Sequence, residues 1–117
     1  MRPNPISPAV HSLTDYAFGI ALMSVPAWLK ADRKTVLIYR AMAMQILLYS
    51  GLTKQPYALK PIIPLSLHRK VDIGNLTALT LLTGLAGIQK RKAVLGFHLG
   101  MFTLGLFNVL LTNWRNR

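Results

Sequence analysis

His11 and Asp15 stand four residues apart, and so do His68 and Asp72. Helix positions i and i+4 share one face, one turn above the other, so each imidazole can exchange a hydrogen bond with its carboxylate. Imidazole changes charge near neutral pH, and a carboxylate beside it suits proton handling or ligand binding. A plainer role is also open. An aspartate in the first turn stabilises the positive end of a helix dipole, with the histidine as an interfacial residue. In a third reading the two aspartates lock two helix ends together. The pairs carry weight because the chain has only three histidines and three acidic residues, all of them Asp.

The remaining candidates are scattered: Arg40, Gln45, Asn75, His98 and Asn108. His98 lies in Gly96-Phe97-His98-Leu99-Gly100, a Gly-x-x-x-Gly spacing that lets helix backbones approach closely. Other chemistry is excluded. No cysteine means no disulfide, thiolate metal site or cysteine nucleophile. There is no glutamate, no phosphate-binding P-loop, no His-Glu-x-x-His and no Gly-x-Ser-x-Gly. The three His and three Asp are not clustered tightly in sequence, so no metal site and no cofactor is assigned.

The elements that must hold these residues are apolar. The chain has 117 residues, 52% of them hydrophobic, a net charge of +11 and 15% charged residues, where a soluble domain carries about 25%. Its mean hydropathy is +0.37. A nucleic-acid binder of this charge would present a basic face on a polar chain; here the cations punctuate apolar blocks, and no nucleic-acid partner is expected. The blocks run over about 13–29, 35–52, 71–88 and 93–114. Each approaches the roughly 20 residues that span a bilayer, and none alternates like a barrel strand. The expected fold is all-α: a polytopic membrane protein with four transmembrane helices, arranged as two hairpin repeats in a small bundle. Trp28-Leu29-Lys30 is a poor signal-peptide cleavage site, so the first helix is read as retained.

Basic turns at 30–34 and 90–92 make tight hairpins, and a connection over 53–67 with Pro56, Pro61 and Pro64 is expected to lie along the interface. Trp28, Tyr49, Tyr57 and Trp114 fall near helix ends, as interfacial aromatics do. The hairpin cations (Lys30, Arg33, Lys34, Lys90, Arg91, Lys92) nearly balance those opposite (Arg2, Lys54, Lys60, Arg69, Lys70, Arg115, Arg117), so the positive-inside rule gives no orientation.

Intramembrane polar groups cost about 2.5–3.5 kcal/mol on insertion scales and need partners. Counting from the first hairpin puts Arg40 opposite Ser24, about 13 Å from Asp15 at 1.5 Å per residue. Arg40 should therefore snorkel toward the basic turn or cap carbonyls freed by Pro26. The same counting sets Asp15 near Tyr49, and Asp72 near Asn108. His98 should bond Thr83, and haem ligation is disfavoured because His11 and His68 lie toward the opposite surface. Gly84 and Gly87 on the third block and Gly96 and Gly100 on the fourth suggest close packing between these two blocks, or between protomers.

Sliding the chain by 57 residues sets His11 on His68, Asp15 on Asp72, Ala21-Leu22 on Ala78-Leu79 and one basic turn on the other. Each half then reads His-x-x-x-Asp, apolar helix, basic hairpin, apolar helix, with repeat one at about 11–52 and repeat two at about 68–114. An offset that keeps direction implies parallel repeats. The layout resembles the SPW-repeat family of small bacterial membrane proteins. Asp15-Tyr16, Gly19, Leu22 and Ser24-Val25-Pro26-Ala27-Trp28 look like its signature with insertions; the second half lacks the Pro and Trp. The resemblance implies two-helix repeats in a bacterial cytoplasmic membrane and no assigned activity.

These features suggest a non-enzymatic membrane protein of structural or accessory role, self-associating or joined to a larger membrane complex, with its basic hairpins against anionic lipid headgroups. One rival is a small transporter or channel using Asp15 and Asp72. Another is a membrane enzyme or cofactor binder using the His-x-x-x-Asp pairs.

Overall fold

The computed structural model describes residues 5–114; Arg2, Arg115 and Arg117, counted among the cations above, lie outside that range. The described chain is all-helical: α1 (Pro8–Trp28), α2 (Arg33–Leu52), α3 (Leu65–Leu82), the single turn α4 (Ala86–Gln89) and α5 (Lys92–Leu111). Two of these, α2 and α5, are long and apolar enough to cross a membrane. The expectation of four such helices is met by length and composition in two. In α1 and α3 the His and Asp of each, and Arg69 and Lys70 of α3, stand where apolar residues would be.

Local chemistry sets the helix ends. Ser7 caps α1 by accepting from Val10 N–H, with Pro8 in the first turn, where its missing donor costs nothing. Asp32 caps α2 through Thr35 N–H at 2.9 Å. At the end of α1, Lys30 N–H donates to Ala27 C=O and Ala31 N–H to Pro26 C=O, a Schellman pattern that requires a left-handed residue at Lys30 (φ 62°). A side chain costs about 1–2 kcal/mol in that conformation. Lys30→Gly is therefore expected to stabilise the protein by about 1 kcal/mol, read as a raised unfolding midpoint; a lowered midpoint would contradict this account of the turn.

The third apolar block departs from its expected bounds. Helix α3 starts at Leu65 rather than 71, taking in three residues (65–67) expected in the connection, and ends at Leu82. The chain turns through Thr83 and Gly84 before α4, which places Ile88 in the core with Leu22, Tyr39, Ala43, Leu79, Val94 and Met101. Beyond α4, Lys90 Nζ lies 3.3 Å from Asp32 Oδ2, joining the two basic turns. Hydrogen bonding from Thr35, then Lys90, holds the Asp32 carboxyl down at about 2.

Helix α1 packs most extensively on α2, and α3 packs on α5; α1 also meets α5, and α2 meets α3 more lightly. The glycines pack differently from expectation. Methyl groups at Gly96 and Gly100 would meet nothing within 4 Å, and one at Gly84 only its own turn. The tight approach expected between the third and fourth blocks is thus not made by these glycines. Gly87 instead sits against Thr35 and Asp32 at the start of α2. The close approach to α5 is at Gly105, where Leu76 and Phe18 press in.

Polar side chains share the interior with the apolar core, and many large apolar ones lie outside. His11, Ser12, Asp15, Thr35, Ser50, His68, His98 and Asn108 are buried, while Ile20, Leu48, Leu81, Leu104 and Leu110 are exposed.

Candidate functional site: a buried histidine–aspartate cluster

The four residues of the two His-x-x-x-Asp pairs meet at the end of the molecule away from the basic turns. Within each helix the pairs lie close, His11 Nε2 to Asp15 Oδ2 at 3.2 Å and His68 Nε2 to Asp72 Oδ1 at 3.3 Å. The shorter contacts are crosswise: His11 Nε2 to Asp72 Oδ2 and His68 Nε2 to Asp15 Oδ2, both 2.9 Å. Each imidazole therefore touches both carboxylates. Helix phase turns the residues inward, and the side-chain contacts between α1 and α3 close the ring.

The backs of the imidazoles are held alike. His11 Nδ1 lies 2.7 Å from Thr112 Oγ1, and His68 Nδ1 lies 2.6 Å from Thr53 Oγ1. Each threonine hydroxyl donates to a backbone carbonyl one turn back, Thr112 to Asn108 and Thr53 to Tyr49. With its proton committed there, the hydroxyl oxygen accepts, so each Nδ1 carries a hydrogen and Nε2 faces the carboxylates. The junctions that place these threonines also match. Ile6 bridges Thr112 as Ile63 bridges Thr53, both in parallel. Ile6 N–H donates to Leu111 C=O and Asn113 N–H to Ile6 C=O; Ile63 N–H donates to Leu52 C=O and Lys54 N–H to Ile63 C=O.

Ser50 Oγ donates to Asp15 Oδ2 and Asn108 Nδ2 to Asp15 Oδ1, both at 3.3 Å. The partners thus differ from those expected. Asn108 reaches Asp15 rather than Asp72, because the halves cross, and Ser50 takes the place expected for the Tyr49 hydroxyl. Tyr49 instead lays its ring 5.8 Å from that of His68. Trp114 covers His11 at a centroid distance of 4.7 Å, with Arg69 above its ring. A cleft of about 30 Å³ opens beside the cluster, lined by Asp15, Asp72, Asn75, Asn108 and apolar neighbours.

His98 belongs to a separate buried group. Its Nε2 lies 2.8 Å from Leu79 C=O and 3.0 Å from Thr83 Oγ1. A carbonyl only accepts, so Nε2 carries the hydrogen and Nδ1 accepts from the Tyr39 hydroxyl at 2.6 Å. Arg40 Nε donates to Met23 C=O at 3.1 Å, beside the carbonyl freed by Pro26. Gln45 and Asn75 exchange amide hydrogen bonds at 3.2 Å between α2 and α3.

Sequence reasoning missed Thr53, Thr112 and Ser50. Single hydroxyls give no periodic signal, although Thr53 and Thr112 stand 59 residues apart, close to the 57-residue offset of the His and Asp. It also left the four donors unclustered, since separation along the chain hid their meeting. No family model, curated protein or solved structure matches the chain.

Proposed function

We propose that this chain is a small integral membrane protein with a structural or accessory role, a four-helix bundle of two hairpin repeats locked at one end by the His/Asp cluster. The placement of the polar groups carries the reading: many large apolar side chains face outward while the histidines, Asp15 and several hydroxyls face inward beside the apolar core. In lipid, polar groups turn to the bundle interior and pair with one another. The matched junctions at Thr53 and Thr112 support duplication of the unit expected from the SPW-repeat likeness. On this reading the exposed Gly96/Gly100 face of α5 is available to a second copy or to a larger complex, the basic turns lie against anionic headgroups, and the location is a bacterial cytoplasmic membrane.

The test is alkaline carbonate extraction of membranes from cells expressing the full chain. The chain is expected to stay in the pellet and to need detergent for release; recovery in the aqueous supernatant would reject the membrane reading. Cross-linking in intact membranes then separates self-association from partner capture. Proton or ion flux in proteoliposomes that is lost in Asp15→Asn would favour a channel over an accessory role.

A further inference from the structure

The geometry points to a divalent metal site of the zinc class, formed by Nε2 of His11 and His68 and one oxygen each from Asp15 and Asp72. The inference goes beyond the accessory role proposed above and is tested separately from it. Each residue offers one ligand atom, and the four atoms lie within 4.8 Å of one another. The His–Asp contacts measure 2.9, 2.9, 3.2 and 3.3 Å, with Asp72 meeting His11 through Oδ2 and His68 through Oδ1. A tetrahedral ion with bonds of about 2.0–2.1 Å sets its ligand atoms roughly 3.3–3.4 Å apart. Side-chain shifts that lengthen the 2.9 Å contacts and close the longest separation, at most 4.8 Å, complete that geometry.

The surroundings are those of a ligand set. Metal-bound imidazoles hold their other nitrogen on a hydrogen-bond acceptor that fixes tautomer and ring angle. Thr112 and Thr53 do this here, so both histidines present Nε2 inward. Asn108 supplies a second, independent pointer. Its Oδ1 is buried with no hydrogen-bond partner, on the same cleft as Asp15 and Asp72. That oxygen can accept from a water held in the cleft beside the ligand set, and the cleft has room for one, which needs about 10–15 Å³.

The donor types select the ion. Two imidazole nitrogens with two carboxylate oxygens suit zinc and its neighbours, whereas magnesium and calcium favour all-oxygen shells. The two carboxylates offset the charge of a divalent ion. On entry the Nε2 hydrogens leave to solvent as protons, and the lone pairs they release bind the metal. With four protein ligands and side chains at most 13% exposed, the site is of the closed, structural kind, tying the start of α1 to the start of α3.

The experiment is calorimetric titration of the full chain, stripped with chelator in mild detergent, using Zn²⁺ alone and Mg²⁺ alone. One Zn²⁺ per chain and no Mg²⁺ uptake is the expected result. Thr53→Val and Thr112→Val, which keep the ligands and the side-chain shape, are expected to weaken Zn²⁺ about 10–100-fold each, and His68→Gln to abolish binding. If His68→Gln does not fold, the threonine variants decide, together with the ligand-field spectrum of Co²⁺ on the unaltered chain, expected to be that of a four-coordinate site. No Zn²⁺ binding by the unaltered chain, affinity indifferent to both threonine changes, or a six-coordinate Co²⁺ spectrum would overturn the proposal. A chain soluble without detergent rejects the membrane reading alone, and the same titration is then run in plain buffer.

Discussion

Asp15→Asn is expected to lower stability by about 3–5 kcal/mol, the range for removing one partner of a buried charged pair. Asp15 Oδ2 meets both imidazoles, His68 at 2.9 Å and His11 at 3.2 Å, and accepts from Ser50. Its Oδ1 accepts from Asn108 Nδ2. An asparagine keeps the shape but loses the charge and turns one acceptor into a donor. Wherever its amide points, an N–H then faces Asn108 Nδ2 or the His and Ser donors. Those groups are buried and cannot turn to water, so the loss includes the desolvation of what remains. Thermal unfolding in detergent, compared with Asn75→Ala on the exposed amide pair, measures it; a loss under 1 kcal/mol would mean that the cluster is not a lock. A double-mutant cycle adds a sharper readout. His11 with Asp72 is expected to couple by about 1–3 kcal/mol, because that contact is the shorter one for His11. Two independent pairs confined to their own helices would show no coupling there.

Gly87→Ala is the second large effect, expected to cost about 2–3 kcal/mol by overpacking and by disturbing a helix cap. A methyl group at Gly87 would overlap Thr35 Oγ1 and come within 2.8 and 2.9 Å of the two Asp32 carboxylate oxygens. Neither neighbour can give way freely. Asp32 caps α2 through Thr35 and also holds Lys90, while Thr35 is buried. The substitution therefore pushes the start of α2 away from α4. Gly96→Ala is the control. A methyl there meets nothing within 4 Å, and alanine in a helix gains about 0.5–1 kcal/mol over glycine. Opposite signs for the two changes in the unfolding midpoint are the expected pattern; equal effects would remove the distinction drawn between these glycines.

Much of the architecture was legible along the chain, because hydropathy blocks, prolines and charged turns are local signals. The apolar blocks and the two basic hairpins locate four long helices to within a few residues, except that α1 starts five residues before its block and the third block is displaced by six residues at both ends. That block reads as continuous to Ile88, since nothing in Thr83-Gly84-Leu85 breaks a hydropathy pattern. What ends α3 is the packing of α4 against α2 and α5, which a single helix cannot express. The glycines illustrate the same limit. Gly-x-x-x-Gly marks a face that permits close approach, but only the arrangement of helices decides whether anything approaches it.

For the site, the chain by itself determined the chemistry. It selected His11, Asp15, His68 and Asp72 by type, by the four-residue spacing and by the 57-residue offset, and helix geometry made each pair share a face. Only the tertiary structure decided that the two pairs form one cluster, that the short contacts run crosswise, and that Thr53 and Thr112 aim the imidazoles. Spacing within a helix follows from backbone geometry alone. A contact between residues 61 positions apart, such as His11 with Asp72, follows from how whole helices pack, and that depends on every side chain between them.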